Sequence, residues 1–266
     1  MIRPHKSLGQ HFLRDENIIR KIIDAVHPVE GDTIIEIGPG QGALTRHLAM
    51  MPVRLLAIEV DPRAVAVLKE QLPDTAGIIH ASVLDVQLSD LAASSADRYR
   101  VVGNIPYNLT SEILFWLFDQ RTLVRDATLM VQLEVAQRLA AGPRTKAYGI
   151  LSVFAQFYTD CRMLFKVSRG CFHPRPDVDS AVIRLQFREQ LPDVNEQLFR
   201  QVVRTTFGTR RKTLRNGLRS LGLTDADLGG LDIDLNRRPE ELTVDEFLHL
   251  TRQIVPLNAH RSIVQN

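Results

Sequence analysis

Two hydrophobic periods alternate along the first two thirds of the chain. Short runs of β-branched and other apolar residues are typical of buried strands, and the segments between them carry apolar residues at helical spacing. The strands predicted from these runs are Thr33–Ile37, Arg54–Val60, Gly77–Ser82, Tyr99–Asn104, Ala127–Leu133, Cys161–Val167 and Ser180–Phe187. Strands alternating with helices indicate a doubly wound α/β sheet, the Rossmann-like arrangement.

The pattern changes near Gln190, beyond which the periodicity is helical only. The helices expected there are Glu196–Phe207, Leu214–Leu221 and Val244–Val255. This change predicts an α/β domain over residues 1–189, with a basic N-terminal tail, followed by a small all-α domain over residues 190–266.

Composition narrows the class of protein without naming a function. Hydrophobic residues make up 44% of the 266-residue chain and charged residues 24%, which is ordinary for a globular protein. No apolar run is long enough to cross a bilayer, and the first residues lack the apolar core of a signal peptide. With Cys161 and Cys171 as its two cysteines, the chain is expected to be cytoplasmic and reduced. We also expect a monomer without a metal ion.

A glycine loop, Gly38-Pro39-Gly40-Gln41-Gly42, follows the first strand and precedes a helix predicted over Ala43–Met51. Strand, glycine turn and helix together build a nucleotide site in doubly wound sheets. The loop also fits a dinucleotide fingerprint, so that interpretation stays open. Glu36, just before the first glycine, would repel a pyrophosphate but would suit a cationic ligand such as S-adenosylmethionine.

An acidic residue, Glu59, ends the second strand about twenty residues beyond the glycines, where an acid can bind both ribose hydroxyls of an adenosine. Asp61 and Pro62 follow it as the predicted N-cap and first residue of the next helix. The spacing therefore predicts an adenine-nucleoside site shared by the first two strands.

The segment Asn104-Ile105-Pro106-Tyr107 ends the fourth predicted strand, where side chains point into the ligand crevice. The amide of Asn104 and the carbonyl of Ile105, held by Pro106, can accept both N–H bonds of an exocyclic base amine and aim its lone pair at an electrophile. Tyr107 offers a face on which the base can stack. Phe172, in a proline-stiffened connection, is the expected second face.

Five segments occur in a characteristic order: LGQHFL, EIGPGQGALT, IEVD, NIPY and FHPRPDVDS. In this combination the chain closely resembles the small-subunit ribosomal RNA adenine dimethyltransferases, from about Ser7 through the C-terminal helices. The resemblance implies a seven-stranded methyltransferase domain, a small helical domain and S-adenosylmethionine as methyl donor. It also implies small-subunit rRNA within an immature 30S particle as substrate, where two adjacent adenosines of the 3′-terminal hairpin loop are each methylated twice.

The resemblance also assigns roles to matching residues. Cofactor contacts are implied for His11, Leu13, Gly38, Gly40, Glu59 and Asn104, and a sandwich of the target adenine for Tyr107 and Phe172. The family usually has an aspartate at the end of the third strand, where this chain has Ser82. Either Ser82 or Asp85 is therefore expected to contact the adenine of the cofactor.

A basic segment in the helical domain is the expected RNA-binding surface. Between Arg200 and Arg219 there are seven basic residues and no acidic one, a composition that favours contact with phosphates. The candidates are Arg204, Arg210, Arg211, Lys212, Arg215 and Arg219. Weaker candidates are Arg3, Lys6, Arg144 and Lys146.

Three alternative functions remain open from the sequence. The nearest is a large-subunit rRNA adenine dimethyltransferase of the antibiotic-resistance type. The second is a non-enzymatic ribosome assembly factor. Ser82 supports this alternative, whereas the presence of Glu59, Asn104 and Tyr107 argues against it. The third is a nicotinamide-dependent oxidoreductase, which the glycine loop alone would also permit.

Overall fold

The structure, a computed structural model, describes residues 10–73, 76–92, 98–208 and 212–264, with side chains to residue 255. Its strands are β1 (Phe12–Leu13), β2 (Thr33–Ile37), β3 (Arg54–Glu59), β4 (Gly77–His80), β5 (Tyr99–Asn104), β6 (Val124–Gln132), β7 (Thr159–Val167), β8 (Phe172–His173) and β9 (Ser180–Phe187). Its helices are α1 (Glu16–Val26), α2 (Thr45–Leu48), α3 (Pro62–Gln71), α4 (Thr110–Asp119), α5 (Leu133–Leu139), α6 (Ile150–Tyr158), α7 (Glu196–Gly208), α8 (Leu214–Arg219), α9 (Asp225–Gly229) and α10 (Val244–Val264).

Seven strands form one sheet in the order β4-β3-β2-β5-β6-β9-β7. The neighbours from β4 to β6 pair in parallel, whereas β9 is antiparallel to both β6 and β7. The mixed α/β fold predicted from the sequence is therefore confirmed. The chain reverses its winding direction between β2 and β5, so their carboxyl ends open a crevice, which is where such sheets bind ligands.

Glycine at position 103 allows the two central strands to approach each other. A Cβ there would lie 2.7 Å from the carbonyl oxygen of Ile37 in β2, so a larger residue would push the strands apart. Ile34, Ile35 and Val102 are fully buried around this contact, as expected for strands covered on both faces. This packing fixes the floor of the crevice.

The start of the described chain is fastened to the far end of the same unit. β1 pairs antiparallel with β8, with Phe12 opposite His173 and Leu13 opposite Phe172. Asp15 then caps α1, its Oδ1 accepting from the main-chain amides of the second and third residues of that helix. This pairing attaches the N-terminal segment to the α/β unit.

Arg100 of β5 is the centre of a buried ion network at the opposite end of the sheet. Its guanidinium contacts Asp126 at 3.1 Å and Asp32 at 2.9 Å, and it also donates to the carbonyl oxygens of Val26 and His27 at the end of α1. A cation at a helix C-terminus is favoured by the helix dipole. The network thereby ties α1 to the sheet.

The chain divides into two units, and one boundary differs from the prediction. The second unit begins at Gln190 but also includes Arg138–Phe157, a segment that the sequence analysis placed in the α/β domain. Aromatic packing explains this grouping: the ring centroids of Phe157 and Phe199 lie 4.3 Å apart, and those of Tyr148 and Phe207 lie 6.2 Å apart. The core of the helical unit thus includes side chains from the middle of the sequence.

Two helix predictions were wrong in extent. Only Thr45–Leu48 is α-helical within the predicted Ala43–Met51 helix, because the three loop glycines have positive φ angles and the chain keeps turning up to Leu44. The last helix continues to Val264 rather than ending at Val255. Within the described ranges, no helix combines the length and apolarity required to cross a membrane.

Candidate active site

A cavity of about 240 Å³ opens at the carboxyl ends of β2, β3 and β5. Its walls come from the glycine loop, the ends of these three strands, the Ala81–Val83 turn, the residues after Asn104 and the Gln10–Leu13 segment. Most of the residues that the sequence analysis assigned to the cofactor or the target base line it: His11, Leu13, Glu36, Gly38, Gly40, Glu59, Ser82, Asn104, Ile105, Pro106 and Tyr107. The fold therefore brings together segments that lie far apart in sequence.

The glycine loop forms one wall because its backbone adopts conformations that other residues avoid. Gly38 and Gly40 have φ angles of 64° and 56°. A Cβ on Gly40 would also lie 3.0 Å from the ring of Phe12, which packs over the loop. Glycine at position 40 is thus required both by conformation and by this close contact.

Glu59 connects the glycine loop to the end of β3. Its side chain is 4% exposed, and its Oε2 accepts from the main-chain amide of Gly40 at 3.0 Å, while its Oε1 accepts from that of Asp61 at 2.8 Å. Each carboxylate oxygen has a second lone pair for a ligand hydroxyl. The carboxylate can therefore hold the loop and still face the cavity.

Asp61 acts as the predicted N-cap of α3, accepting from the amide of Arg63 at 3.0 Å. It also accepts a hydrogen bond from Gln10 Nε2 at 3.1 Å. The side-chain hydrogen bond from Arg63 outweighs the opposing effect of burial and lowers the pKa of Asp61 to about 2. Gln10, which was not among the predicted site residues, thus binds Asp61, two residues beyond the ribose candidate Glu59.

Glu36 is a buried carboxyl that lacks a hydrogen bond at one oxygen. Its side chain is 2% exposed, and its Oε2 has no hydrogen-bond partner within the described part of the chain. Burial raises the pKa of Glu36 to about 8, and the nearby charge of Glu59 adds to this shift. An unsatisfied acceptor beside a second carboxylate fits a cationic ligand group, as expected for S-adenosylmethionine.

Asn104 is held in one orientation by a main-chain acceptor. Its Nδ2 donates to the carbonyl oxygen of His11 at 2.8 Å. Because a carbonyl oxygen only accepts, the amide nitrogen must face it, and the amide oxygen is turned away. Within the described residues that oxygen accepts no hydrogen bond, so it is available to a donor on a ligand.

Tyr107 follows Asn104 and carries the ring expected to stack on a base. The His11 ring stacks against it, with centroids 5.5 Å apart and planes at 27°. The Tyr107 hydroxyl lies 2.7 Å from Oγ of Ser180. Burial raises the pKa of Tyr107, so the hydroxyl keeps its proton at neutral pH. His11 is itself fixed by the carbonyl oxygen of Pro174, 2.8 Å from its Nδ1.

Phe172, the predicted second face of the base sandwich, lies in the hydrophobic core of the α/β unit. Its side chain is 5% exposed and belongs to the hydrophobic core, and it is absent from the residues that line the cavity. The pairing of β1 with β8 explains this, since Phe172 lies opposite the buried Leu13. The aromatic group that stacks against Tyr107 is His11, and the role of Phe172 against the target base stays a prediction.

Ser82 and Asp85 were alternatives for the cofactor adenine, and the structure separates them. Ser82 lines the cavity, and its Oγ accepts from the amide of Leu84 at 3.3 Å. Asp85 is exposed and does not line the cavity. Ser82 is therefore the residue placed to reach a ligand there.

The described basic candidates lie in the helical unit. Arg204 and Lys212 are exposed, and Arg204 lies over the ring of Phe154. Arg219 forms a 2.6 Å ion pair with Asp225, and Arg215 lies 3.9 Å from the same carboxylate. The segment is thus less one-sided than its sequence indicated, because α9 supplies an acid. Arg210, Arg211, Arg3 and Lys6 lie outside the described residues.

Comparison with known proteins decides the family. The family model described as ribosomal RNA adenine dimethylase matches residues 1–255. The chain belongs to this family. Two proteins named ribosomal RNA small subunit methyltransferase A are similar over almost the whole chain. The one from Chlorobium phaeobacteroides (strain BS1) is 44% identical, with 95% of this chain and 94% of the relative covered. The one from Geobacter metallireducens is 42% identical, with 96% and 97% covered.

Solved structures agree with the fold of this dimethylase family member. A dimethyladenosine transferase from Plasmodium falciparum superposes with a TM-score of 0.77 at 24% identity, covering 92% of this chain and 98% of that one. The 23S rRNA methyltransferase ErmE superposes with a TM-score of 0.66 at 26% identity, covering 92% and 99%. The Rossmann-like methyltransferase fold expected from the sequence is confirmed.

Proposed function

We propose that this protein transfers methyl groups from S-adenosylmethionine to the exocyclic amines of two adjacent adenosines in small-subunit rRNA, each amine receiving two. The target would lie in the 3′-terminal hairpin loop of an immature 30S particle in the cytoplasm, and the protein would act as a monomer. Family membership and relatives named as small-subunit rRNA methyltransferases support the substrate class. The orientation of Asn104 is the observation that carries the chemistry.

The cofactor would be held by residues already turned towards the cavity. Glu36 would meet the cationic methionine end near Gly38 and Gly40, and Glu59 would accept from the ribose hydroxyls. Ser82 would contact the adenine, since its side chain lines the cavity and that of Asp85 does not. Leu13 and His11 would close the cavity from the N-terminal side. When bound, the cofactor supplies an electrophilic methyl group on its sulfonium.

Asn104 would prepare the attacking amine. An adenine amine is a weak nucleophile because its lone pair is delocalised into the ring. The Asn104 amide oxygen and the carbonyl of Ile105 would accept its two N–H bonds, which aligns the lone pair for in-line displacement. Tyr107 would fix the plane of the base by stacking.

Positioning is the main catalytic device in this mechanism. The methyl donor is already cationic, so the chain's task is to hold nitrogen, carbon and sulfur in line. The N-methylated product is an acidic ammonium that loses its proton to water. We therefore assign no general base and no covalent intermediate.

The helical unit would contact the RNA backbone. We assign this contact to Arg204, Arg210, Arg211, Lys212, Arg215 and Arg219, with a smaller part for the two arginines that share Asp225. Contacts of this kind orient an RNA without reading its sequence. Choice of the two adenosines is then left to the cavity and to the shape of the hairpin.

The rival substrates are separable in one experiment. Labelled S-adenosylmethionine would be incubated with small ribosomal subunits lacking the modification and, in parallel, with large subunits. We expect label in the small subunit and its loss with Asn104→Ala, while Asn17→Ala, an exposed asparagine on α1, retains it. Label confined to the large subunit would support the resistance-type enzyme. Tight small-subunit binding without label would support an assembly factor.

A further inference from the structure

Ser180 is a fully buried hydroxyl that contacts the ring expected to carry the target base. Its Oγ lies 2.7 Å from the hydroxyl of Tyr107, and the two residues are separated by 73 positions in sequence. The Tyr107 ring is only partly buried, since it borders the cavity. The contact therefore joins a cavity side chain to the interior of the sheet.

The position of Ser180 is set by strands on both sides. It is the first residue of β9, where it pairs with Gln132 of β6 and with Val167 of β7. The preceding residue, Asp179, accepts at its carbonyl from the amide of Leu133 at 3.0 Å. A side chain on a strand held from two sides has little freedom, so its hydroxyl is a fixed point.

Tyr107 is fastened at its other end as well. The hydroxyl of Thr110, itself buried, donates to the carbonyl oxygens of Pro106 at 3.1 Å and Tyr107 at 3.2 Å. Thr110 thus holds the backbone of Tyr107, and Ser180 holds the hydroxyl at the far end of its side chain. Rotation of the ring about its side-chain torsions would break the contact with Ser180.

We propose that Ser180 is a positioning residue that sets the angle of the Tyr107 ring against the target adenine. This inference rests on the proposed function, in which Tyr107 stacks on the base. Ser180 does not touch the substrate; it acts through Tyr107. A ring without its anchor stacks on the base less persistently, and the base amine then spends less time aligned with Asn104, so methyl transfer slows while the cofactor site is unchanged.

The test compares Ser180→Ala, Tyr107→Phe and the double variant. Each single change removes the same hydrogen bond, and we expect each to lower kcat/KM for the RNA about tenfold, with the Kd for the cofactor unchanged. The double variant should be no worse than either single one, since the contact is already lost. Tyr107→Phe alters only the partly buried partner, so it tests the contact even if Ser180→Ala folds poorly.

A matched control is Ser152→Ala in the helical unit. Ser152 is also fully buried, and its hydroxyl donates to the carbonyl oxygen of Arg138. Its loss should lower the thermal midpoint without changing kcat/KM for the RNA. A merely structural role for Ser180 predicts the same behaviour from Ser180→Ala, and that result would overturn the inference.

A second measurement separates this inference from the proposed function. Fluorescence of 2-aminopurine at the target position of a hairpin RNA reports stacking without any methyl transfer. A weaker quench with both Ser180→Ala and Tyr107→Phe supports the positioning role. An unchanged quench with both variants, or additive losses in the double variant, overturns it. Absence of methyl transfer by the unaltered protein would instead overturn the proposed function.

Discussion

The amide nitrogen of Asn104 donates to the carbonyl oxygen of His11 at 2.8 Å, joining residues 93 positions apart. Through this bond the N-terminal segment determines which atom of the Asn104 amide faces the cavity. The pairing of β1 with β8 and the hydrogen bond between Gln10 and Asp61 hold the same segment in place. The Asn104 amide is thus oriented by a part of the chain outside the main sheet.

Replacing Asn104 by aspartate tests this orientation. Aspartate has the same shape but no N–H donor, so the ionised side chain would place an acceptor against the carbonyl oxygen of His11 and be pushed from its position. A displacement of about 1 Å lowers the rate about 10²-fold. We expect that loss in single-turnover methyl transfer, with cofactor affinity changed far less. Equal losses in rate and in cofactor affinity would contradict the assigned role.

Glu36 predicts that cofactor binding depends on pH. Its pKa of about 8 keeps it protonated at neutral pH in the free protein. A cationic ligand favours the carboxylate, so binding of S-adenosylmethionine should release a proton, and affinity should rise as pH increases from 6 to 8. Calorimetry in buffers of different ionisation enthalpy measures the release. Glu36→Gln should abolish it, and proton release that persists in this variant would contradict the assignment.

The same group predicts how stability varies with pH. The folded-state pKa of Glu36 is raised above its ordinary value of 4.5 to about 8, so the folded state binds the additional proton between these values. Its contribution is therefore fully present below pH 4.5 and is lost as pH rises to 8. The free energy of unfolding of the ligand-free protein, compared with that of Glu36→Gln, should fall across this window. A constant difference would show that the carboxyl titrates normally.

Glu59→Gln should weaken cofactor binding because the carboxylate serves two main-chain donors and faces the cavity. Glutamine offers a single acceptor oxygen, so one amide, that of Gly40 or Asp61, loses its partner. A lost hydrogen bond to a charged group contributes about 1.5–3 kcal/mol, which corresponds to roughly 10- to 100-fold in Kd. Titration with S-adenosylhomocysteine measures it, with Glu112→Gln, an exposed glutamate of α4, as the control. Unchanged affinity would remove Glu59 from the cofactor site.

Ser82→Asp should tighten cofactor binding severalfold. The side chain at this position lines the cavity, and a carboxylate accepts more strongly than a hydroxyl from an amine donor on adenine. Asp85→Asn should leave the Kd unchanged, because Asp85 is exposed and away from the cavity. The opposite ranking of these two variants would return the adenine contact to Asp85.

Replacing Arg100, which lies at the end of the sheet opposite the cavity, should strongly lower the free energy of unfolding. Its side chain is 4% exposed, and its removal leaves the buried carboxylate of Asp126 with Arg184, at 3.2 Å, as its one ion-pair partner among the described residues. Breaking a buried pair in this way costs about 3–5 kcal/mol. Denaturant unfolding of Arg100→Met measures the loss. Arg162→Met, which breaks the exposed pair with Asp160, should leave the unfolding midpoint unchanged, and equal shifts would contradict the role of the network.

The sequence was sufficient for the fold and for most of the cavity. Strand ends at Glu59 and Asn104 follow from apolar runs that stop at a polar residue, and the parallel sheet brings such ends to one edge. The glycine loop was located for the same reason. Its helix was overestimated, because periodicity does not register that three glycines with positive φ delay the first helical turn.

Other features depended on contacts that no local pattern encodes. Phe172 was expected to face the target base, and the pairing of β8 with β1 places it opposite Leu13, within the core. Asp225 lies just beyond the basic segment in sequence and neutralises part of it. Ser180 ends the segment FHPRPDVDS, yet its partner, Tyr107, follows β5, which β6 separates from β9 in the sheet. Long-range pairing decides the cases of Phe172 and Ser180, whereas the charge of Asp225 lies only six positions beyond Arg219.

The most direct test of the account is to locate the methyl groups. Nucleoside mass spectrometry, combined with primer extension, would be applied to small subunits methylated in vitro. The account predicts dimethyladenosine at two adjacent positions of the 3′-terminal hairpin loop and none in the Asn104→Ala reaction. Methylation at a large-subunit adenosine, or at a single isolated site, would contradict it.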